Sequence, residues 1–280
     1  VTIDMGDEAM RVLMTGAAGG IGSMIRHELR AIYPGLVLSD VRTPPDLTPE
    51  ETFVAADLTE PAQVEAALEG IDAVAHFGGF SVEGPWDTIL NANIIGCYNL
   101  FEAARKKGVK RVVFASSNHA MGFYPRHQPV GTAAVPRPDS RYGVSKVFGE
   151  AVGALYADKH GLGVLSLRIG NVATKPVDTR RLAIWLHPQD LIQLIRIGFE
   201  HPGLVYEVVY GASFNERTWW DNTRAFELGY RPKHRAEDFA AEALAAQAKL
   251  PPDPVGDYFQ GGTFCTEEFS ATPPKPVGPT

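Results

Sequence analysis

The chain has 280 residues, 45% of them hydrophobic and 21% charged, with a formal net charge of −7. That balance sits near the globular average and excludes a disordered or fibrous chain, while the length allows one large domain or two small ones. The acidic charge argues against a general nucleic-acid binder, and no apolar run approaches the ~20 residues of a membrane span, so neither partner is expected.

The first nine residues are acidic and lack the basic region and apolar core of a signal peptide. They read as an extension, 1–9, ahead of a start near Met10. The two cysteines, Cys97 and Cys265, are too few for a disulfide framework or a zinc site. That points to a reducing cytoplasm. From residue 10 onward, short apolar runs occur at 11–15, 36–39, 53–56, 73–77, 111–116 and 164–169. Helical patterns fall between them at 21–32, 61–68, 91–107 and 142–160. The second of these has Pro61 in its first turn, where proline is tolerated. Strands interleaved with helices predict an α/β fold with a Rossmann-type, doubly wound parallel sheet. Unbroken apolar runs suit strands buried on both faces. After residue 170 the pattern weakens to a helix at 188–199, a strand at 204–210 and a helix at 236–249. The last segment, with prolines from Pro251 to Pro279, reads as loop.

The first strand runs into Thr15–Gly22, TGAAGGIG. A glycine-rich turn between a strand and a helix is the setting in which such a pattern carries meaning. Gly16 suits the tight turn, Gly19 and Gly20 the approach of backbone to a pyrophosphate, and Gly22 close packing of helix on strand. Ile21 opens the helix whose N-terminal N–H groups favour an anion. Asp40 ends the second strand, about 20 residues on, where an acid accepts from ribose hydroxyls. It favours NAD over NADP, with Arg42 as the counter-signal. Asp57 and Leu58 after the third strand are placed for adenine. Gly78 and Gly79 after the fourth let backbone approach the cofactor. The organisation expected is an NAD-binding core at 10–170, a small substrate lobe at 171–264 packed on it, and a Pro-rich tail at 265–280.

Tyr142 and Lys146 form a Y-x-x-x-K pair near the start of a long helix, and a spacing of four puts them on one face. Ser116 and Ser117 end the fifth strand, at the carboxyl edge where open α/β sheets bind ligands. A phenol has a pKa of about 10, too high for a base at neutral pH unless nearby positive charge stabilises the phenolate. Lys146 can supply such charge and hold ribose hydroxyls, and Ser117 can place the reacting oxygen.

Together these residues resemble the extended short-chain dehydrogenase/reductase family. HFGGFSVEGPW (76–86), NIIGCYNLFEAAR (93–105), FASSNHAMGFYPR (114–126), YGVSKVFGE (142–150), WWDN (219–222) and FQGGTF (259–264) resemble, more narrowly, its uronate dehydrogenases, over nearly the whole chain. The resemblance implies oxidation of the anomeric carbon of D-galacturonate or D-glucuronate by NAD, giving an aldarolactone. It implies Tyr142 as base with Lys146, Ser117 and Asn93 as partners, Asn93 bracing the active-site helix and a proton-relay water. It also implies that Asn93, Tyr142, Lys146 and Val172 contact the cofactor. Ser81, Ser117, Asn118, His119 and Asn171 would contact the sugar. Arg180, beside Arg181, would grip the carboxylate, a task that suits a planar guanidinium fork. Here the sixth strand is followed by Gly170-Asn171-Val172, where those relatives carry a serine-containing stretch. Without the resemblance, His119 reads as a cap or core histidine, Asn118 as a turn residue, and Arg180 as a surface arginine. Trp219 and Trp220 read as core of the lobe. Two alternatives stand beside this reading: a nucleotide-sugar epimerase or dehydratase of the same superfamily, and a non-catalytic NAD sensor. The first needs a larger lobe, and the second has no need of the Tyr142/Lys146 pair. The helices at 91–107 and 142–160 resemble those that pair in short-chain dehydrogenases, which implies a homo-oligomer.

Overall fold

A computed structural model describes residues 9–274. The N-terminal extension up to residue 8 and the tail from residue 275 lie outside the described residues.

Strand β1 (Val12–Thr15) leads through the glycine turn into helix α1 (Gly20–Ile32). Strands β2 (Val37–Asp40) and β3 (Thr52–Ala55), helix α2 (Pro61–Ala67) and strand β4 (Ala73–His76) follow. Pro61 occupies the first turn of α2, where its missing N–H costs no helical bond. The next helical run starts at α3 (Trp86–Ile89), passes through a π-helical stretch (Leu90–Ile95), and continues as α4 (Gly96–Lys107). It therefore begins five residues before the apolar periodicity does, because Pro85 caps it from outside the amphipathic pattern. Gly108, left-handed at φ 74°, ends it.

Strand β5 (Arg111–Ser117) gives way to a 3₁₀ turn (Asn118–Met121) and the two-residue β6 (Val130–Gly131). Helix α5 (Arg141–His160) is capped by the Ser140 side chain, which accepts from Gly143 N, a standard way to satisfy an orphan N–H. Strand β7 (Gly163–Ile169) precedes β8 (Asn171–Val172), α6 (Thr179–Ile184), β9 (Trp185–Leu186), α7 (Pro188–Glu200) and β10 (Tyr206–Gly211). The chain then forms β11 (Trp220–Asp221), α8 (Thr223–Glu227), a 3₁₀ turn (Ala236–Phe239), α9 (Ala240–Gln247) and a last helical turn, α10 (Thr263–Thr266). The expected helix at 236–249 is thus 3₁₀ over its first turn.

Seven strands make one parallel sheet in the order β10-β7-β5-β4-β1-β2-β3. Strand β1 alternates between its faces. Val12 and Met14 join Ile25, Leu29, Leu191 and Phe199 on the side covered by α1 and α7. Leu13 joins Leu100, Phe101, Val152 and Tyr156 on the side covered by α2, α4 and α5. Burying an aliphatic or aromatic side chain of this kind stabilises by roughly 1.5–3 kcal/mol, so these two cores hold the sheet. The edge strand β3 departs from the fully buried pattern, since its outer side has no partner strand. β1 and β4 are neighbours whose flanking connections run in opposite directions, and such a switch point opens a crevice at the carboxyl ends of the strands. Among the described residues no helix is long and apolar enough to cross a membrane.

Candidate active site

One cleft of about 990 Å³ opens over this switch point. Gly16 turns the chain at φ +73°, and a Cβ there would lie 2.6 Å from the Phe77 backbone. A Cβ on Gly22 would lie 2.4 Å from Gly16 O, whereas Gly20 faces open space. Helix α1 has no side-chain cap and no acid in its first turn. Its N-terminal N–H groups therefore remain available to an anion, along with the dipole. Gly16, Gly19, Gly20, Ile21 and Gly22 all line the cleft. At the end of β2, Asp40 accepts from Ala18 N (3.0 Å) and Arg42 N (3.2 Å), which fixes its carboxylate on the cleft rim. Arg42 lies beside it on the same rim. Asp57, Leu58, Gly78 and Gly79 form the opposite wall of this half. The cradle fits a dinucleotide: small residues stand where backbone must approach a pyrophosphate, and an acid stands where ribose hydroxyls donate.

The other half of the cleft is built from β5, α5 and the chain after β7. Ser117, Asn118, His119, Tyr142, Lys146, Asn171, Val172, Arg180 and the loop residue Ser81 all face it. Lys146 Nζ lies 5.3 Å from the Tyr142 ring centre, as the one-turn spacing requires. Burial pushes the Tyr142 phenol up to about 12, with the Ser117 hydroxyl pulling it down and Asp139 pushing it further up. Burial brings Lys146 down to about 8, countered by Cys97. The ammonium is thus held in a site that disfavours its charge, as expected of a group poised for chemistry.

Arg180 sits inside the cleft, not on the surface. Its Nε donates to Gln260 O (2.7 Å). In the amide orientation that satisfies both of its polar atoms, Asn118 donates to Ile169 O (3.1 Å) and accepts from Arg180 Nη2 (2.8 Å). Burial, followed by the nearby Arg126 and Arg181 guanidiniums, brings Arg180 down to about 10. Arg181 also reaches the cleft but is ion-paired with the Asp178 carboxylate, whereas Arg180 donates to neutral oxygens, which distinguishes the two adjacent arginines. Trp220 stacks on Tyr210 (4.6 Å) in the small core of the lobe, with Trp219 packed against that core.

Asn93 does not line the cleft. It is buried behind it in the π-helical stretch, where its amide accepts from Phe80 N (2.7 Å) and donates to Phe80 O (2.9 Å) and Ser145 Oγ (3.0 Å). The extra residue in a π turn re-aims a side chain, and here it joins the loop after β4 to α5.

Several supporting groups have no role assigned by the sequence reading. His119 Nδ1 lies 2.7 Å from Asp139 Oδ2. Its ring stacks on Phe264 at 3.8 Å, so the chain beyond residue 262 returns to the cleft, and Cys265 is buried beneath it. Glu83 caps α5 by accepting from Tyr142 N (2.9 Å). Glu150 accepts from Ser116 Oγ (2.6 Å) and pairs with the buried Arg168 (2.8 Å) behind the β5 edge. These contacts join residues distant in sequence, so no local spacing betrays them.

Comparison with known proteins bears on this geometry. The model of the NAD dependent epimerase/dehydratase family matches residues 12–189. A uronate dehydrogenase of Pseudomonas putida is 45% identical over 91% of this chain and 95% of its own. A glucuronic acid dehydrogenase from Chromohalobacter salexigens superposes with a TM-score of 0.89 at 43% identity, covering 92% of this chain and 97% of the other. A variant of the uronate dehydrogenase from Agrobacterium tumefaciens, solved with NAD, superposes with a TM-score of 0.87 at 42% identity, with coverage of 92% and 97%.

Proposed function

The chain belongs to the NAD-dependent epimerase/dehydratase family as one of its uronate dehydrogenases, and we propose on that premise that Tyr142 is the general base in the oxidation of a cyclic uronate at C1. It is an NAD-dependent oxidoreductase. The substrates we assign are D-galacturonate and D-glucuronate in the ring form, and the product an aldarolactone. The observation that carries this is the continuous wall of polar groups from Tyr142 through His119 and Asn118 to Arg180. His119 meets the Tyr142 ring edge-on at 5.8 Å, and Asn118 is hydrogen-bonded to Arg180 at 2.8 Å. The proposed base and the arginine assigned to the carboxylate thus share one lining of the cleft.

Gly16, Gly19, Gly20, Ile21 and Gly22 would hold the pyrophosphate, Asp40 the ribose, and Asp57, Leu58, Gly78, Gly79 and Val172 the rest of the cofactor. NAD, when bound, supplies the hydride acceptor and, in its oxidised form, a positive charge. Arg180 pairs with the uronate carboxylate and fixes the ring. Ser81, Asn118, His119 and Asn171 orient its hydroxyls. Ser117 donates to or accepts from O1 and places it against Tyr142. Tyr142 takes the O1 proton as C1 gives up hydride, and the hemiacetal carbon becomes a lactone carbonyl. Lys146 keeps positive charge beside the phenolate, the state that burial alone disfavours. Asn93 and Ser145 hold the helix that carries the pair.

We assign residues 10–170 to cofactor binding and 171–264 to the substrate side, though β10 of the latter completes the main sheet and α7 packs on it. We also place the protein in the cytoplasm as a homo-oligomer. In support, Tyr98 of α4 and Val144 and Leu155 of α5 are exposed apolar side chains, and both cysteines are free and buried.

Tyr142→Phe tests the assignment. Turnover of either uronate falls by about 10²–10⁴, the usual worth of a general base, while NAD still binds. Turnover within a few-fold of the native rate would remove Tyr142 from the role. Activity on a UDP-sugar and on neither uronate would favour the epimerase reading.

A further inference from the structure

Asp139 is a fully buried side chain with 0% exposure, sealed beside the active site. A Cβ on Gly122 would lie 1.7 Å from its carboxylate and one on Gly261 1.9 Å, so two glycines make the space it fills. Burying a carboxylate costs several kcal/mol unless it is paired and hydrogen-bonded. Here Ser140 Oγ donates to Oδ1 (2.7 Å), Cys265 Sγ approaches Oδ2 (3.9 Å), and the remaining partner is His119 Nδ1 at 2.7 Å.

The imidazole is held on one face, along one edge and at Nδ1. Phe264 stacks on its face at 3.8 Å and Tyr142 lies edge-on at 5.8 Å. His119 N donates to Ser117 Oγ (3.2 Å), and a Cβ on Gly143 would lie 2.3 Å from His119 O, so α5 packs directly on its backbone. An ionised carboxylate only accepts, so Nδ1 must carry a proton, and a neutral imidazole then has its lone pair on Nε2. His119 lines the cleft.

We infer that Asp139 is a positioning residue that acts through His119, locking the tautomer whose Nε2 accepts a hydrogen bond from a uronate hydroxyl. The inference rests on the uronate reading for the identity of the ligand. The tautomer itself does not depend on that reading. Recognition follows by chemistry: a sugar hydroxyl can donate to Nε2, whereas the opposite tautomer would present N–H and demand an acceptor.

The first test is a ¹⁵N histidine correlation spectrum of the native chain above neutral pH, with the His119 signals assigned by their loss in His119→Asn. The expected result is Nδ1 protonated and Nε2 bare. An Nε2-protonated ring overturns the inference whether or not uronates turn over. The second test is kinetic. Asp139→Asn keeps the shape and weakens the lock, and Asp139→Leu removes the acceptor. KM for uronate rises by about 10- to 100-fold in Asp139→Leu, by analogy with the loss of the carboxylate partner of a metal-bound histidine, and by less in Asp139→Asn. Affinity for NAD stays the same. In a His119→Asn background, Asp139→Asn adds less than about twofold, because the two residues act as one unit. Independent, multiplying losses would make Asp139 a general core residue and overturn the inference. Should Asp139→Leu fail to fold, the native spectrum and the Asp139→Asn cycle still decide it. Absence of native turnover with both uronates would instead bear on the functional reading.

Discussion

The Glu83 carboxylate accepts a hydrogen bond from the backbone N–H of Tyr142 at 2.9 Å, and its other oxygen pairs with Arg141 at 2.7 Å. One loop residue thus caps the helix that carries the base and ties it to the segment bearing Ser81. Arg141 reaches onward to Glu268 (2.6 Å), so the C-terminal segment with Phe264 is fastened to the same point. Glu83→Ala is expected to destabilise the fold by about 1 kcal/mol, as loss of a cap does. It should lower kcat/KM by about 10- to 100-fold through misplacement of the phenol. Glu83→Gln keeps the acceptor and retains most of the activity. Steady-state kinetics of the two variants distinguish the cap from the ion pair.

Gly22 tests the cradle. Its Cβ would lie 2.4 Å from Gly16 O and 2.8 Å from Ala17 Cα, all backbone, so the strand–helix turn must open to admit it. Gly22→Ala should cost about 1–3 kcal/mol, the range for overpacking, and weaken NAD binding. Gly20→Ala meets nothing within 4 Å and should leave the melting temperature unchanged. Thermal denaturation with and without NAD checks both.

Arg180 and Arg181 are adjacent, but Arg181 is already ion-paired with Asp178, whereas the partners of Arg180 are neutral oxygens. Arg180→Met should raise KM for uronate by about 30- to 4,000-fold, corresponding to the ~2–5 kcal/mol lost when one partner of a buried charge pair is removed. Arg181→Met should change KM little, since its fork already pairs with Asp178. Equal effects would shift the assignment by one residue.

His76 ends β4 beneath the cleft with Nδ1 2.7 Å from Thr15 Oγ1. Burial, followed by the Lys146 charge, lowers its pKa to about 3 from 6.5. Between those values the unfolded chain binds a proton that the folded chain does not. The stabilisation is therefore fully present above pH about 6.5 and drains away as the pH falls toward 3. Between pH about 6.5 and 5 this amounts to about 2 kcal/mol, or about 4–8 °C in melting temperature. His76→Asn should flatten that part of the pH profile. An unchanged acid slope would place the loss in other groups.

The sequence made the sheet and the cofactor half of the cleft legible because their signals are local. The run from Val12 to Thr15, the turn from Gly16 to Gly22 and the acid at Asp40 follow one another along the chain. Tyr142 and Lys146 were legible for the same reason, being one helical turn apart. The start of the third helical run was not, because Trp86 to Ile89 precede the amphipathic repeat and the π turn around Asn93 breaks its period. The two-residue strands β8 and β9 are too short for any periodicity. The roles of Asp139, Glu83 and Phe264 stayed hidden because they lie in contacts with His119 and Tyr142 across long stretches of chain. The resemblance implies Asn93 both as a bracing residue and as a cofactor contact; the structure sets it behind the cleft, not in it, with its amide engaged by Phe80 and Ser145.

The most direct test of C1 oxidation is isotopic. Native protein is mixed with NAD and D-galacturonate or D-glucuronate deuterated at C1, and the NADH formed is analysed by mass spectrometry. The account predicts NADH that carries the deuterium, with a lactone as the sugar product. Unlabelled NADH, or no NADH from either acid while NAD is bound, would contradict it.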